Sequence, residues 1–301
     1  MAAALHEHLD PQTVARLESL ELVARTLVQG FLKGLHLSAS KGSSIEFAEH
    51  RPYVPGDDIR RIDWRTFGRT DRYYLKEYDD ETNVRATLFL DASASMAFRS
   101  GEVSKLRYSV CLAAALGYLL LCQRDAVGLV VGGATIRKEL HPRATARQLK
   151  GIFATLEGTT GEGETRLGEC LHLLAERIHP RSLVIVLSDF LDDPRSTLRG
   201  AAHLRHRGAE VLLFQILDPA EEDFPFTNWT LFVDSESPGK RVRVDARQLR
   251  EIYRENLADH IETLRKGAAA LEADYMLLST SKPFEVALAR YLDLRQCRGK
   301  R

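Results

Sequence analysis

Three apolar runs constrain this chain more than anything else in it. "VRATLFLD" (84–91), "SLVIVLSDF" (182–190) and "AEVLLFQILD" (209–218) are apolar at consecutive positions, without the alternation of a half-exposed strand. A strand apolar on both sides has to be covered on both sides. Helical patterns supply the cover: "SKLRYSVCLAAALGYLLLCQ" (104–123), "TARQLKGIFATLEG" (145–158) with Thr145 as N-cap, "RLGECLHLLAERIH" (166–179), "PRSTLRGAAHLRHRG", and the long "ARQLREIYRENLADHIETLRKGAAALEA" (246–273). "DAVGLVVGG" (125–133) is a further strand, with "ATIRKELHP" placed to pair with it, and "DYMLLST" then "PFEVALARYLDLR" close the chain as strand and helix. Alternation of this kind over 84–295 predicts an α/β fold with a mostly parallel sheet and helices on both faces. "NWTLFVDSESPGKRVRVD" (228–245) interrupts it as a hairpin, its turn at Pro238-Gly239.

The first 83 residues differ. Residues 11–35 carry Leu17, Leu20, Val23, Leu27 and Phe31 near one helical face, and residues 36–83 have no clean period, with "RYYLKEY" (72–78) the best strand candidate. The expected organisation is an N-terminal extension, 1–83, packed on a main domain, 84–301.

Lys plus Arg number 42 and Asp plus Glu number 42, so no net charge draws this chain to nucleic acid or a membrane surface. Cys111, Cys122, Cys170 and Cys297 have neither metal spacing nor a disulfide framework and read as buried reduced thiols. "MAAALHEHLD" lacks the basic start and apolar core of a secretory leader, and "VCLAAALGYLLLC" (110–122) is short for a bilayer span. Location in the cytoplasm, without stable membrane insertion, is the expectation.

Sites in open parallel sheets form at the carboxyl ends of strands. Two of the apolar strands end there in acids, Asp91 and Asp189, and "LFLDASASM" adds Ser93 and Ser95 at alternate positions after Asp91. Each residue has an ordinary alternative: Asp91 with Ser93, Asp189, and Thr165 before helix 166–179 would all serve as helix caps.

D-x-S-x-S between an apolar strand and a buried helix resembles the metal-ion-dependent adhesion site of von Willebrand factor A-like domains. That resemblance implies a Thr from a later loop and an Asp from a later strand end, and Thr165 and Asp189 stand at the matching places in the element order. It implies a divalent cation, Mg²⁺ foremost, held by Asp91, Ser93, Ser95, Thr165 and Asp189, with an open position for a partner's carboxylate. Two carboxylates and three hydroxyls suit a hard cation that takes about six oxygens and retains some as water.

Upstream lies "EFAEHRPYVPGDDIRRIDWRTFGRTDRYYLKEYDDE" (46–81). With the D-x-S-x-S strand after it, it resembles the bacterial family catalogued as domain of unknown function 58. Glu46, Phe47, Arg51, Tyr53, Gly56, Asp57, Asp58, Arg60, Ile62, Asp63 and Trp64 carry the match, which runs from about residue 34 to 295. The resemblance implies a MoxR-type AAA+ ATPase as partner, and an adaptor role in a chaperone-like assembly. Physically, Pro55-Gly56-Asp57 is turn chemistry. Arg51, Tyr53, Asp57, Asp58, Arg60, Asp63 and Trp64 read as a clasp pinning the extension, or as an interface of the residue types that anchor partners.

Rival readings have less in their favour. "GLVVGGATIRK" lacks the spacing of a phosphate loop, and Ser93 stands where a haloacid-type phosphotransferase needs a second Asp. "HLRHRG" (203–208) reads as a solvated helix face, His203 and His206 as surface residues, and "DPAEEDFPF" (218–226) as an exposed loop. A hydrolase using the same cation needs a proton-transfer group beside it, for which Glu162 and Glu164 are the candidates.

Overall fold

A computed structural model describes residues 11–15, 19–39, 50–52, 74–76, 84–237 and 239–298. The chain divides into two compact units, residues 1–31 with 84–301, and residues 32–83. At the N-terminus, α1 (Pro11–Ala15) precedes α2 (Leu20–Ala39), which runs from the larger unit into the smaller, where one helix over 11–35 is expected. Leu20, Val23, Leu27 and Phe31 of α2 are buried, as helical spacing requires, and Leu20 N donates to Glu157 Oε1 at 3.2 Å. In the smaller unit, β1 (His50–Pro52) pairs antiparallel with β2 (Tyr74–Lys76), Arg51 opposite Leu75. Only this centre of the expected strand 72–78 falls among the described residues, and Leu17 lies outside them.

The regular alternation is realised in full. In chain order come β3 (Arg85–Asp91), a 3₁₀ turn (Ala94–Ala97), α3 (Lys105–Cys122), β4 (Ala126–Gly132), β5 (Ile136–Arg143), α4 (Ala146–Glu157) and α5 (Leu167–Arg177). There follow β6 (Leu183–Ser188), α6 (Pro194–His206), β7 (Glu210–Leu217), α7 (Pro219–Asp223), β8 (Trp229–Val233), β9 (Arg241–Asp245), α8 (Ala246–Ala270), β10 (Asp274–Ser279) and α9 (Glu285–Arg298). The six-stranded sheet has the order β10-β7-β6-β3-β4-β5. All its pairings are parallel except β4 with β5, which are antiparallel. The chain steps from β3 to β4 on one side and then builds β6, β7 and β10 on the other. The crevice at such a reversal lies at the carboxyl ends of β3 and β6.

Both faces of the sheet are covered. Phe89, Val184, Val186, Val211 and Leu213 project into a core with Leu171 and Leu174 of α5, Ala201 and Leu204 of α6 and Leu264 of α8. Their strand neighbours Leu88, Leu90, Ile185, Leu187 and Phe214 project to the opposite face by alternation and are equally buried. Helix α3 packs on β3, β4, β6 and β7. It is the one described helix long and apolar enough to cross a membrane, and here it is buried on nearly every side. This is an α/β fold, a mostly parallel sheet with helices on both faces, as the alternation predicts.

Two local expectations change. Cys111 and Cys170 are buried, but Cys122 ends α3 in contact with solvent; the Cys297 side chain lies outside the described residues. "DPAEEDFPF" is not an exposed loop: Asp218 is buried and caps α7 in a reciprocal box with Glu221. In the β8–β9 hairpin, which is present, Pro238 is outside the described residues.

Helices α5 and α6 approach until backbone meets backbone. A Cβ on Gly168 would lie 2.6 Å from the carbonyl oxygen of Ser196, and one on Gly200 2.8 Å from that of Gly168. These helices carry the loops holding Thr165 and Asp189, so their spacing sets the site. Gly168→Ala is expected to cost about 1–3 kcal/mol through overpacking, read as a lowered urea midpoint with an unchanged slope.

Candidate metal centre

Asp91 is the last residue of β3 and is buried. The register sets Leu90 beside Leu187 of β6, and so brings Asp91 against Ser188. Ser188 Oγ donates to Asp91 Oδ2 at 2.6 Å, and the backbone N–H of Ser93 donates to Oδ1 at 2.9 Å. Burial, and then the charge of Asp189, push the Asp91 carboxyl up to about 6, against the pull of these hydrogen bonds. An ionised Asp91 therefore carries a penalty that a nearby cation would relieve. Ser93 is buried and Ser95 half-buried, their hydroxyl oxygens 3.0 Å apart.

Loop 158–165 is stitched to this loop through the backbone. Ala94 N donates to Gly163 O at 3.0 Å, Glu162 N to Ala92 O at 2.9 Å, and Arg166 N to Gly133 O at 3.1 Å. Arg137 braces the same loop at the carbonyls of Thr160 and Glu162. Thr165 and Ser95 thereby line one depression of about 360 Å³, together with Glu236.

Asp189 follows β6. Its Oδ1 accepts from Leu191 N at 3.1 Å, while its backbone carbonyl accepts from Gln215 Nε2 at 2.8 Å. Phe190 beside it is buried in the left-handed region at φ 56°, and its carbonyl is 2.8 Å from His260 Nε2. Fixed carbonyls on both sides of a strained residue are what holds such a bend.

None of these side chains caps a helix, although each is of a capping type. Helix α3 takes its cap from Ser104 and α6 from Asp193. The start of α5 is bonded by Asp192, whose Oδ2 accepts from Leu167 N at 3.2 Å. Asp91, Thr165 and Asp189 are thus released from the commonest structural duty of their residue types.

Two partners were not legible beforehand. The ammonium of Lys105, wholly buried at the start of α3, bonds Asp189 Oδ2 at 2.8 Å and Glu221 Oε1 at 2.6 Å. Burial by itself would depress Lys105; its two carboxylates outweigh that and hold it above the usual lysine range. Glu236, in the β8–β9 turn, accepts from Thr165 Oγ1 at 2.6 Å and from Thr165 N at 3.0 Å. Lys105 has only a weak sequence signal, a cation that with Arg107 begins a strongly apolar helix. Glu236 lies 71 residues from Thr165 and has none.

The oxygen donors of Asp91, Ser93, Ser95 and Thr165 fit a hard divalent cation rather than a soft one. Among the described residues no group of three or more His, Cys, Asp or Glu is placed to hold a metal ion, so hydroxyls are indispensable to any such site here. His203 meets His172, ring nitrogens 3.0 Å apart on the exposed side of α5 and α6, with no third ligand among the described residues. Glu162 and Glu164 are exposed, and Glu164 lies 3.7 Å from Arg166. Of the clasp residues Arg51 lies on β1, while Tyr53, Asp57, Asp58, Arg60, Asp63 and Trp64 lie outside the described residues.

Lys105→Met removes the cation shared by the buried Asp189 and the partly buried Glu221. The expected cost is about 3–5 kcal/mol, since the remaining charges stay buried without a partner; urea unfolding of parent and variant measures it.

Comparison with known proteins adds the following. Uncharacterized proteins of Mycobacterium bovis and Mycobacterium tuberculosis are 27% identical over 292 residues, covering 95% of this chain and 91% of theirs. Among solved structures, the conserved hypothetical protein BatB of Bacteroides thetaiotaomicron is similar over 70% of this chain and 97% of its own, at 15% identity and a TM-score of 0.49. An aerotolerance-related membrane protein of Bacteroides fragilis is similar over 69% of this chain and 97% of its own, at 17% identity and a TM-score of 0.45. Residues 49–263 match the family described as protein of unknown function DUF58, and the chain belongs to that family.

Proposed function

We propose that this protein is a cytoplasmic binding module, not an enzyme, which recognises a protein partner through a divalent cation, most simply Mg²⁺. The observation that carries the reading is the gathering, at one sheet reversal, of a buried Asp91 with hydroxyls that cap no helix. Asp91, Ser93, Ser95 and Thr165 would hold the ion, and Asp189 would add a charge shared with Lys105. When bound, the cation supplies an electrophilic position for an oxygen ligand, because hydroxyl donors neutralise it little.

This chain's own residues do the rest. Ser188 and the N–H of Ser93 orient the Asp91 carboxylate. Lys105 keeps Asp189 and Glu221 from repelling each other across the base of the site. A hydrolytic role has weaker support: Glu162 and Glu164 are exposed, and neither bonds Asp91, Ser93 or Ser95 among the described hydrogen bonds. The likeness of "RPYVPGDDIRRIDW" and the strand after it to its family supports a MoxR-type AAA+ ATPase as partner. Arg51, Tyr53, Asp57, Asp58, Arg60, Asp63 and Trp64 would form a clasp or a second contact.

A pull-down from native lysate tests this, with Mg²⁺ or with EDTA, comparing parent and Asp91→Ala. Retention of such an ATPase only by the parent with Mg²⁺ is the expected outcome. Equal retention in every arm would remove the metal from the reading.

A further inference from the structure

Glu236 reaches the candidate metal centre from outside the sheet's strand ends and their loops, and among the described residues it is the carboxylate that bonds Thr165. It sits in the turn between β8 and β9, a two-stranded ribbon with no pairing to the main sheet. The ribbon is anchored by aromatic packing of Phe232 on Phe224 and Phe226, centroids 5.6 and 5.4 Å apart. Its turn is shaped by Asp234, whose Oδ1 accepts from the N–H groups of Glu236 at 2.9 Å and Ser237 at 3.1 Å. That turn aims Glu236 at Thr165, where its two oxygens take the hydroxyl and the backbone N–H.

The geometry points to Glu236 as an internal carboxylate ligand of this site, occupying the position a partner's carboxylate would take. The inference rests on the metal reading given above. A threonine hydroxyl that donates its proton to a carboxylate keeps its lone pairs for a cation, so the Thr165–Glu236 bond and metal ligation by both are compatible. Glu236 lines the same depression as Ser95 and Thr165, which puts its carboxylate at the mouth of the site.

Charge makes the arrangement a gate. The same depression is also lined by Asp192, Glu221 and Asp234. An entering carboxylate meets like charges and gains a place only if Glu236 gives up its own. Only the turn has to move: Phe232 keeps the ribbon on Phe224 and Phe226, while Val233 and Val242 next to the turn are exposed, and a segment with little buried area opens at small cost. A partner would thus bind by exchanging its carboxylate for Glu236 and swinging the turn away from Thr165.

The test uses the full chain and Mn²⁺ as probe, with free Mn²⁺ followed by electron paramagnetic resonance. Parent, Glu236→Ala and Asp91→Ala are compared, each shown folded by circular dichroism, with and without acetate. Glu236→Ala is expected to weaken Mn²⁺ binding by about tenfold or more, the lower edge of what losing a supporting group costs a metal site. Acetate is expected to restore binding in Glu236→Ala and leave the parent unchanged. Parent-like Mn²⁺ binding by Glu236→Ala, or a loss that acetate does not restore, would overturn the ligand assignment while leaving the metal reading intact. No Mn²⁺ binding by the parent, or parent-like binding by Asp91→Ala, would overturn both.

Discussion

The parallel pairing of β3 with β6 is the constraint on which the rest of the site depends. It sets Leu90 beside Leu187 and so delivers Asp91 to the hydroxyl of Ser188 and the charge of Asp189. Side chains alternate along a strand, so a slip of one residue would turn Asp91 toward the opposite face. Apolar pattern alone would not forbid the slip, since both faces of both strands are buried; the close packing of differently shaped side chains against the helices on each face opposes it. Core packing and site geometry are here the same requirement.

A buried carboxylate beside a partly buried one is a problem in any fold, and Lys105 is the local answer. Its ammonium lies against Asp189 and Glu221, joining the β6 loop to α3 and α7. Removing charges from water is recovered only where geometry and additional hydrogen bonds are good; here Leu191 N and Asp218 N take further carboxylate oxygens. Asp91 has no such cation among its described partners. The asymmetry assigns different tasks: Asp189 is neutralised by the protein, whereas Asp91 carries its charge toward the hydroxyls.

Much of this was legible in advance. The strands ending in Asp91 and Asp189 read directly, because strands buried on both faces leave little ambiguity over so few residues. Thr145 reads as a cap and serves as one. Thr165, of the same residue type before the next helix, does not cap it, since Asp192 bonds the N-terminus of α5 from another loop. Local pattern cannot separate the two, because the competitor for capping is distant in sequence. The acidic "DPAEEDFPF" misleads for a related reason: Asp218 and Glu221 look solvated until the loop before α3 brings Ser100, and α3 brings Lys105, to them.

By itself the sequence determined the alternation of elements, the two acid-terminated strands, the D-x-S-x-S loop and the family. These follow from local periodicity and contiguous motif, which do not need the chain to fold back. Only the tertiary structure decided that β3 and β6 are neighbours, that Lys105 neutralises Asp189, and that Glu236 lies on Thr165. Contacts across 84 and 71 residues arise from sheet order and hairpin placement. Those are fixed by how apolar faces are shared among layers, a property of the whole core that no single stretch encodes.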